Sequence, residues 1–205
     1  MLNIALGKGR LAEITLKKLN NIGIDFPEYS PESRKLIFLN EDRDIRLVLV
    51  KASDVGIYVE RGACDIGIEG KDTLMENEPN VYEMMDLKFG KCKFAVAAPK
   101  DFEKEKNKKI RVATKYPNVA KSYFEKKGEP IEIIKINGSV ELAPLMGLAD
   151  VIVDIVETGT TLKENGLIII EEISDVSARL IVNKASLKTK RDEIAKIMDA
   201  LNANI

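Results

Sequence analysis

The chain contains no histidine. That absence excludes Ser-His-Asp and Cys-His catalysis and any histidine-ligated metal, and it removes the commonest general base. Cysteine is scarce. Cys64 and Cys92 stand alone, without Cys-x-x-Cys spacing, and read as reduced, packed thiols. No apolar run approaches the ~20 residues of a membrane span. The opening Met1–Lys8 has too short an apolar stretch for an export signal, and its charges lie on the wrong side of it. The net charge is −1, so nothing draws the chain as a whole to nucleic acid or to an anionic membrane, and any anion must be met by local clusters of Lys and Arg. The expectation is a cytoplasmic protein with neither nucleic-acid nor membrane partners. Its chemistry must run on carboxylates, Lys, Arg, hydroxyls, backbone amides or a metal brought by the substrate.

What is present is an alternation of short apolar strands and amphipathic helices. Leu2–Leu6 reads as a strand, followed by the loop Gly7-Lys8-Gly9-Arg10. A helix of about three turns then carries Leu11, Ile14, Leu19 and Ile22 near one face. Leu36–Leu39 and Ile45–Val50 form a hairpin through the polar turn Asn40–Asp44. Ser53 and Asp54 cap a helix that Gly62 stops. Asp65–Ile68 and Val81–Leu87 are strands, with a helix near Thr73–Glu76 between them. After Gly90 the pattern restarts. Phe94–Ala98 and Ile110–Ala113 are strands flanking the charged loop Asp101–Lys109. Pro117 opens a helix with Ala120, Tyr123 and Phe124 inward. Ile131–Ile136 precedes a helix over Val140–Leu148, capped by Asn137-Gly138-Ser139. Val151–Val156, Ile168–Ile173 and Arg179–Val182 are further strands, and a last helix spans Leu187–Asn202.

The pattern predicts an α/β fold of two lobes: 1–88 with 177–205, and 89–176. The chain crosses twice between them, leaving a central cleft at the carboxyl ends of the strands.

The densest chemistry follows Val151–Val156. Asp154 interrupts an otherwise apolar run, which is costly unless the carboxylate has partners at the strand end. Glu157 and the turn Thr158-Gly159-Thr160-Thr161 come next. Gly159 permits close backbone approach, and three hydroxyls join the amides of a helix start. An acid for sugar hydroxyls beside donors for phosphate suits a phosphorylated sugar. A plain helix N-cap would also account for the turn, and Glu157 for a solvated loop acid.

Lys8, Gly9 and Arg10 place two cations where a helix N-terminus disfavours them, which makes sense if an anion binds between them. Arg34 and Lys35, before one strand, and Lys51, at the end of another, are further cation candidates, although exposed cations are usually just solvated. The segment Asp65–Asp72, with Lys71 after a glycine turn, reads as a second nucleotide-like pocket or as a tight turn. Thr114-Lys115 and Ser139-Val140-Glu141 are two more helix starts, each readable as a cap.

Taken together, Glu141-x5-Gly147-x-Ala149-Asp150-Val-Ile-Val-Asp154-Ile-Val-Glu157-Thr158-Gly159-x-Thr161-Leu162 resembles the signature of the ATP phosphoribosyltransferase catalytic subunit. Lys8-Gly9-Arg10, Ser33-Arg34-Lys35-Leu36, Lys51-Ala-Ser-Asp54, Asp65-Ile-Gly, Gly70-Lys71-Asp72 and Ala113–Val119 are also similar to family sequence. The resemblance covers essentially the whole chain and is to the short form, without a C-terminal regulatory domain. It implies the type II periplasmic-binding-protein fold. It also implies transfer of the phosphoribosyl group of phosphoribosyl pyrophosphate to N1 of ATP with Mg²⁺, the metal being substrate-borne rather than held by a protein site.

Within that reaction, Thr158, Gly159, Thr160 and Thr161 would take the 5′-phosphate, and Asp154 with Glu157 the ribose hydroxyls. Arg10 and Arg34 would act on the departing pyrophosphate. Lys8, Gly9, Lys35, Lys51, Asp65 and Lys71 would complete the ATP and polyphosphate site. The family further implies a regulatory partner resembling histidyl-tRNA synthetase and a homodimer building into a hetero-oligomer. The competing readings are a phosphoribosyltransferase with another acceptor base and a two-lobed ligand-binding sensor.

Overall fold

The computed structural model describes residues 1–42, 44–105 and 108–202. Arg43 in the expected hairpin turn, Lys106 and Asn107 in the charged loop, and 203–205 at the end of the first expected lobe lie outside the described residues. The chain divides into two compact units. One runs over Met1–Gly90 and resumes at Ser177; the other is Lys91–Val176.

The first unit opens with β1 (Leu2–Gly7) and α1 (Arg10–Asn20). Next come β2 (Ile37–Leu39), β3 (Ile45–Val50), α2 (Val55–Glu60), β4 (Ile66–Gly70), α3 (Lys71–Asn77) and β5 (Tyr82–Asp86). The second unit contains β6 (Cys92–Pro99), β7 (Ile110–Thr114), α4 (Pro117–Lys126), β8 (Ile131–Lys135), α5 (Leu142–Leu145), β9 (Val151–Val156), α6 (Thr160–Glu164) and β10 (Leu167–Val176). The chain then returns to the first unit with β11 (Ala178–Val182), α7 (Ser186–Thr189) and α8 (Arg191–Asn202).

The first sheet has the order β2-β3-β1-β4-β11-β5. Here β1 is parallel to β3 and β4, while β2 and β11 run antiparallel to their neighbours. The apolar run of β1 is explained by burial on both faces. Leu2, Ile4 and Leu6 pack with Ala12 and Leu19 of α1 and with Ile194, Ile197 and Leu201 of α8. Ala5 packs on the other face with Val55 and Val59 of α2 and with Ile181. The second sheet has the order β10-β6-β9-β7-β8, with β7 parallel to β8 and β9 and β6 antiparallel to both its neighbours.

Three helices differ from the sequence expectation. The first ends at Asn20, so Ile22 lies beyond it, although that side chain still packs on the core. The expected helix over Val140–Leu148 contracts to α5. Ser139 and Gly147 flank it at φ 49° and 68°, conformations no helix can include. The last helix is broken at Lys190, whose backbone leaves the α region (φ −131°) while its ammonium reaches Asp65 and the Met1 carbonyl.

Candidate functional site

In the second unit, β9 lies between β6 and β7 and is buried along its first half. Its register places Asp154 beside Ala95, half-buried, two residues before β9 ends at Val156. The Ile155 amide donates to Asp154 Oδ1 at 2.8 Å. Thr114, fully buried in β7, donates to the Val153 carbonyl at 2.7 Å and accepts from the Tyr116 amide at 2.8 Å. That hydroxyl clamps β7 onto β9 next to Asp154, so Thr114 is committed internally.

The turn then exposes Glu157, Thr158, Thr160 and Thr161. Gly159 sits at φ 75°, which an L side chain would resist, and forms the N-cap of α6. The Thr158 and Thr160 hydroxyls lie 3.0 Å apart, so both face the same side of the turn. Because α6 is only five residues long, the donors here are local amides and hydroxyls rather than a long helix dipole. Glu141, the N-cap of α5, makes no side-chain cap hydrogen bond.

In the first unit, pairing gathers the cations at one edge. The chain after β1 carries Gly7, Lys8, Gly9 and Arg10, with the Lys8 amide donating to the Val50 carbonyl at 3.0 Å. Lys51 follows β3 directly, and Lys71 opens α3 after β4. Because β1, β3 and β4 are parallel, all of these lie at the carboxyl edge of the sheet. Arg34 and Lys35 join them because β2 runs antiparallel to β3: the Leu49 amide donates to the Leu36 carbonyl at 2.8 Å. Lys8, Arg10, Arg34, Lys35 and Lys51 are exposed. Lys35 pairs with Glu28 and lies over the Phe38 ring, while Lys71 pairs with Glu83 at 2.5 Å.

Asp65 must be corrected. It precedes β4 at the opposite, amino edge of the sheet and is 4% exposed. Its oxygens are taken by the Ser186 hydroxyl (2.6 Å), the Lys190 ammonium (2.7 Å) and the Asn3 amide (2.8 Å). Burial opposes its charge, but Lys190, Ser186 and Asn3 outweigh burial and hold the carboxyl below its usual value. Asp65 therefore fastens α7 and α8 to β1 and β4, and it is not part of a nucleotide pocket.

Sequence reasoning missed the polar cluster beside Lys71 formed by Glu83 and Asp86 of β5, Arg179 of β11 and Ser177 just before β11. No spacing announces it, because it joins residues nearly a hundred positions apart.

Among the described residues no group of three or more Cys, Asp or Glu side chains is arranged to hold a metal ion. The exposed edges offer hydroxyls, amides and cations, donors suited to phosphates that carry a metal. No described helix is long and apolar enough to cross a membrane.

The chain is 54% identical over 204 residues to the ATP phosphoribosyltransferases of Bacillus cereus and Bacillus anthracis, covering 100% of this chain and 97% of each relative. It is similar to a chain of the ATP phosphoribosyl transferase (HisG:HisZ) complex from Thermotoga maritima at 37% identity and a TM-score of 0.87, covering 99% of this chain and 98% of that one. The VFT2 domain of Bordetella pertussis BvgS (10% identity, TM-score 0.62, 100% and 87% covered) and a histidine kinase sensor domain similar to periplasmic binding proteins (12%, 0.62, 99% and 89%) share the fold alone. The profile of HisG: ATP phosphoribosyltransferase matches residues 51–203, a span that includes the Asp154–Thr161 turn. With the family's profile over most of its length and majority identity to its relatives, the chain belongs to the ATP phosphoribosyltransferase (HisG) family.

Proposed function

We propose that this chain transfers the phosphoribosyl group of phosphoribosyl pyrophosphate to N1 of ATP, giving phosphoribosyl-ATP and pyrophosphate, the first step of histidine biosynthesis. The observation that carries the division of labour is the exposed turn Thr158-Gly159-Thr160-Thr161, delivered by a buried strand that also presents Asp154. The turn takes the 5′-phosphate on hydroxyls and amides. Asp154, with Glu157, accepts hydrogen bonds from the ribose hydroxyls and fixes the ring.

The lone pair of adenine N1 attacks the anomeric carbon while the bond to the pyrophosphate oxygen breaks and its electrons leave with pyrophosphate. Positive charge builds on the ribose and negative charge on the leaving group, so no protein nucleophile is needed, which is consistent with a histidine-free chain. Positioning and charge neutralisation carry the rate. Arg10 and Arg34 meet the pyrophosphate, while Lys8, the Gly9 amide, Lys35, Lys51 and Lys71 hold polyphosphate. Mg²⁺ bound to the substrate phosphates supplies further neutralisation.

The Thermotoga maritima relative was seen in a HisG:HisZ complex. We extend to this chain a regulatory partner of that kind, resembling histidyl-tRNA synthetase, in a hetero-oligomer built on a homodimer, working in the cytoplasm. The test is pyrophosphate release from phosphoribosyl pyrophosphate with ATP, set against other bases, with and without the partner subunit. Release confined to ATP supports the reading. Release with another base names a different acceptor, and binding without turnover in both settings points to a sensor.

A further inference from the structure

We propose that Glu83 is a positioning residue for the reaction: it fixes the Lys71 ammonium by an ion pair and ties it, through Arg179 and Asp86, to both places where the chain passes between its two units. The proposal rests on the reading of Lys71 as a polyphosphate ligand.

Lys71 Nζ lies 2.5 Å from Glu83 Oε2. The other oxygen, Glu83 Oε1, is 3.4 Å from Arg179 Nη1, and Arg179 Nη2 is 3.4 Å from Asp86 Oδ2. Asp86 closes β5 just before the first crossing at Gly90 and Lys91. It accepts from the Lys88 amide at 2.9 Å and from the hydroxyl of Ser177, the first residue after the second crossing, at 2.7 Å. The Ser177 carbonyl in turn accepts the Lys71 amide at 2.9 Å. The backbone and the side chain of Lys71 are therefore anchored to the same cluster, from two directions.

The cluster is partly withdrawn from water. The Lys71 and Glu83 side chains are 30% and 33% exposed, and those of Arg179 and Asp86 20% and 22%. Burial works against the Asp86 charge, yet the bonds from Ser177 and Lys88 hold its carboxyl well below the usual range, so it stays ionised. A flexible lysine that must be immobilised to bind phosphate loses rotamer entropy, and a carboxylate that already holds it removes part of that cost. The same carboxylate lowers the positive potential that attracts phosphate. The two effects have opposite signs. A positioning Glu83 strengthens ATP binding, whereas a merely neutralising one weakens it.

The test is Glu83→Gln, with ATP affinity measured by calorimetry in the presence of Mg²⁺, and KM and kcat measured with the regulatory partner present. Positioning predicts that Kd and KM for ATP rise about three- to ten-fold with kcat within about two-fold. In a Lys71→Ala background the substitution should add nothing. Should Glu83→Gln unfold the chain, Arg179→Lys, which keeps the charge but loses the fork, should move KM in the same direction by less. Unchanged or tighter ATP binding in Glu83→Gln, or full additivity with Lys71→Ala, overturns the positioning role. If Lys71→Ala alone leaves ATP binding unchanged, the polyphosphate reading of Lys71 fails, and the positioning role fails with it.

Discussion

Gly7 and Ala52 touch backbone to backbone: a Cβ on Gly7 would lie 2.6 Å from the Ala52 Cα. This contact presses the turn after β3 against the end of β1 and brings the Lys51 and Lys8 segments together. Gly7→Ala must push the two apart. Overpacking of this kind costs about 1–3 kcal/mol, so urea denaturation should show a loss of that size. On the proposed role of Lys8 and Lys51, ATP binding should weaken as well. Unaltered stability in Gly7→Ala would show that the turn moves aside freely.

Asp154→Asn keeps the shape of the side chain and removes its charge. If Asp154 orients the ribose, turnover should fall by about 100-fold, while the melting temperature stays near that of the parent. Turnover close to the parent's would remove Asp154 from the sugar site.

Glu69 on β4 gives a pH dependence with a definite sign. It is 3% exposed, and among the described residues neither carboxylate oxygen has a hydrogen-bond partner in good geometry. Burial pushes its carboxyl from 4.5 up to about 7; the Gly56 amide works the other way, and the nearby Asp72 and Asp54 add to the rise. The folded state thus holds the proton more tightly than the unfolded chain. The stability associated with protonated Glu69 is complete below 4.5 and is lost as the pH rises through about 7. At ~1.4 kcal/mol per unit the loss is roughly 3 kcal/mol. Glu69→Gln cannot ionise, so its stability should fall less between pH 5 and pH 8. Parallel stability curves for the two proteins would contradict this.

Lys190→Met leaves the Asp65 carboxylate buried with its cation gone. Removing one partner of a buried pair costs roughly 3 kcal/mol or more, and Asp65 is only 5% exposed at its side chain. The lowered carboxyl of Asp65 means that this contribution is present at neutral pH and is lost as the pH falls through its folded value. Chemical denaturation at pH 7 should show the loss, while KM for ATP stays within about two-fold. A shifted KM with intact stability would return Asp65 to the substrate site.

Asp65 and Asp154 show how far sequence reading reached. Both are acids in apolar strand segments, and the sequence pattern points both toward substrate. One lies at the amino edge of its sheet among Lys190, Ser186 and Asn3; the other lies at the end of β9 beside an exposed hydroxyl turn. The residues around Asp65 do not show that its charge is met internally, because Lys190 and Ser186 come from the far end of the chain and Asn3 from its start. Glu83 was invisible for the same reason: its significance is the ammonium of Lys71 and the guanidinium of Arg179, which only the pairing of β11 with both β4 and β5 brings near.

The sequence by itself determined what is local. Period-2 and period-3.6 apolar patterns set most of the strands and helices, the polar turn at Asn40 set the β2–β3 hairpin, and Gly159 among threonines set the exposed turn after β9. These follow from burial periodicity and backbone sterics, which act over a few residues. Tertiary structure alone decided which charges share an edge. Arg34 and Lys35 lie at the same edge as Lys51 because β2 pairs antiparallel with β3, and Asp65 lies at the opposite edge, held by Lys190, Ser186 and Asn3. Strand order and long-range ion pairs arise from the burial of the whole sheet, which no short stretch of the chain records.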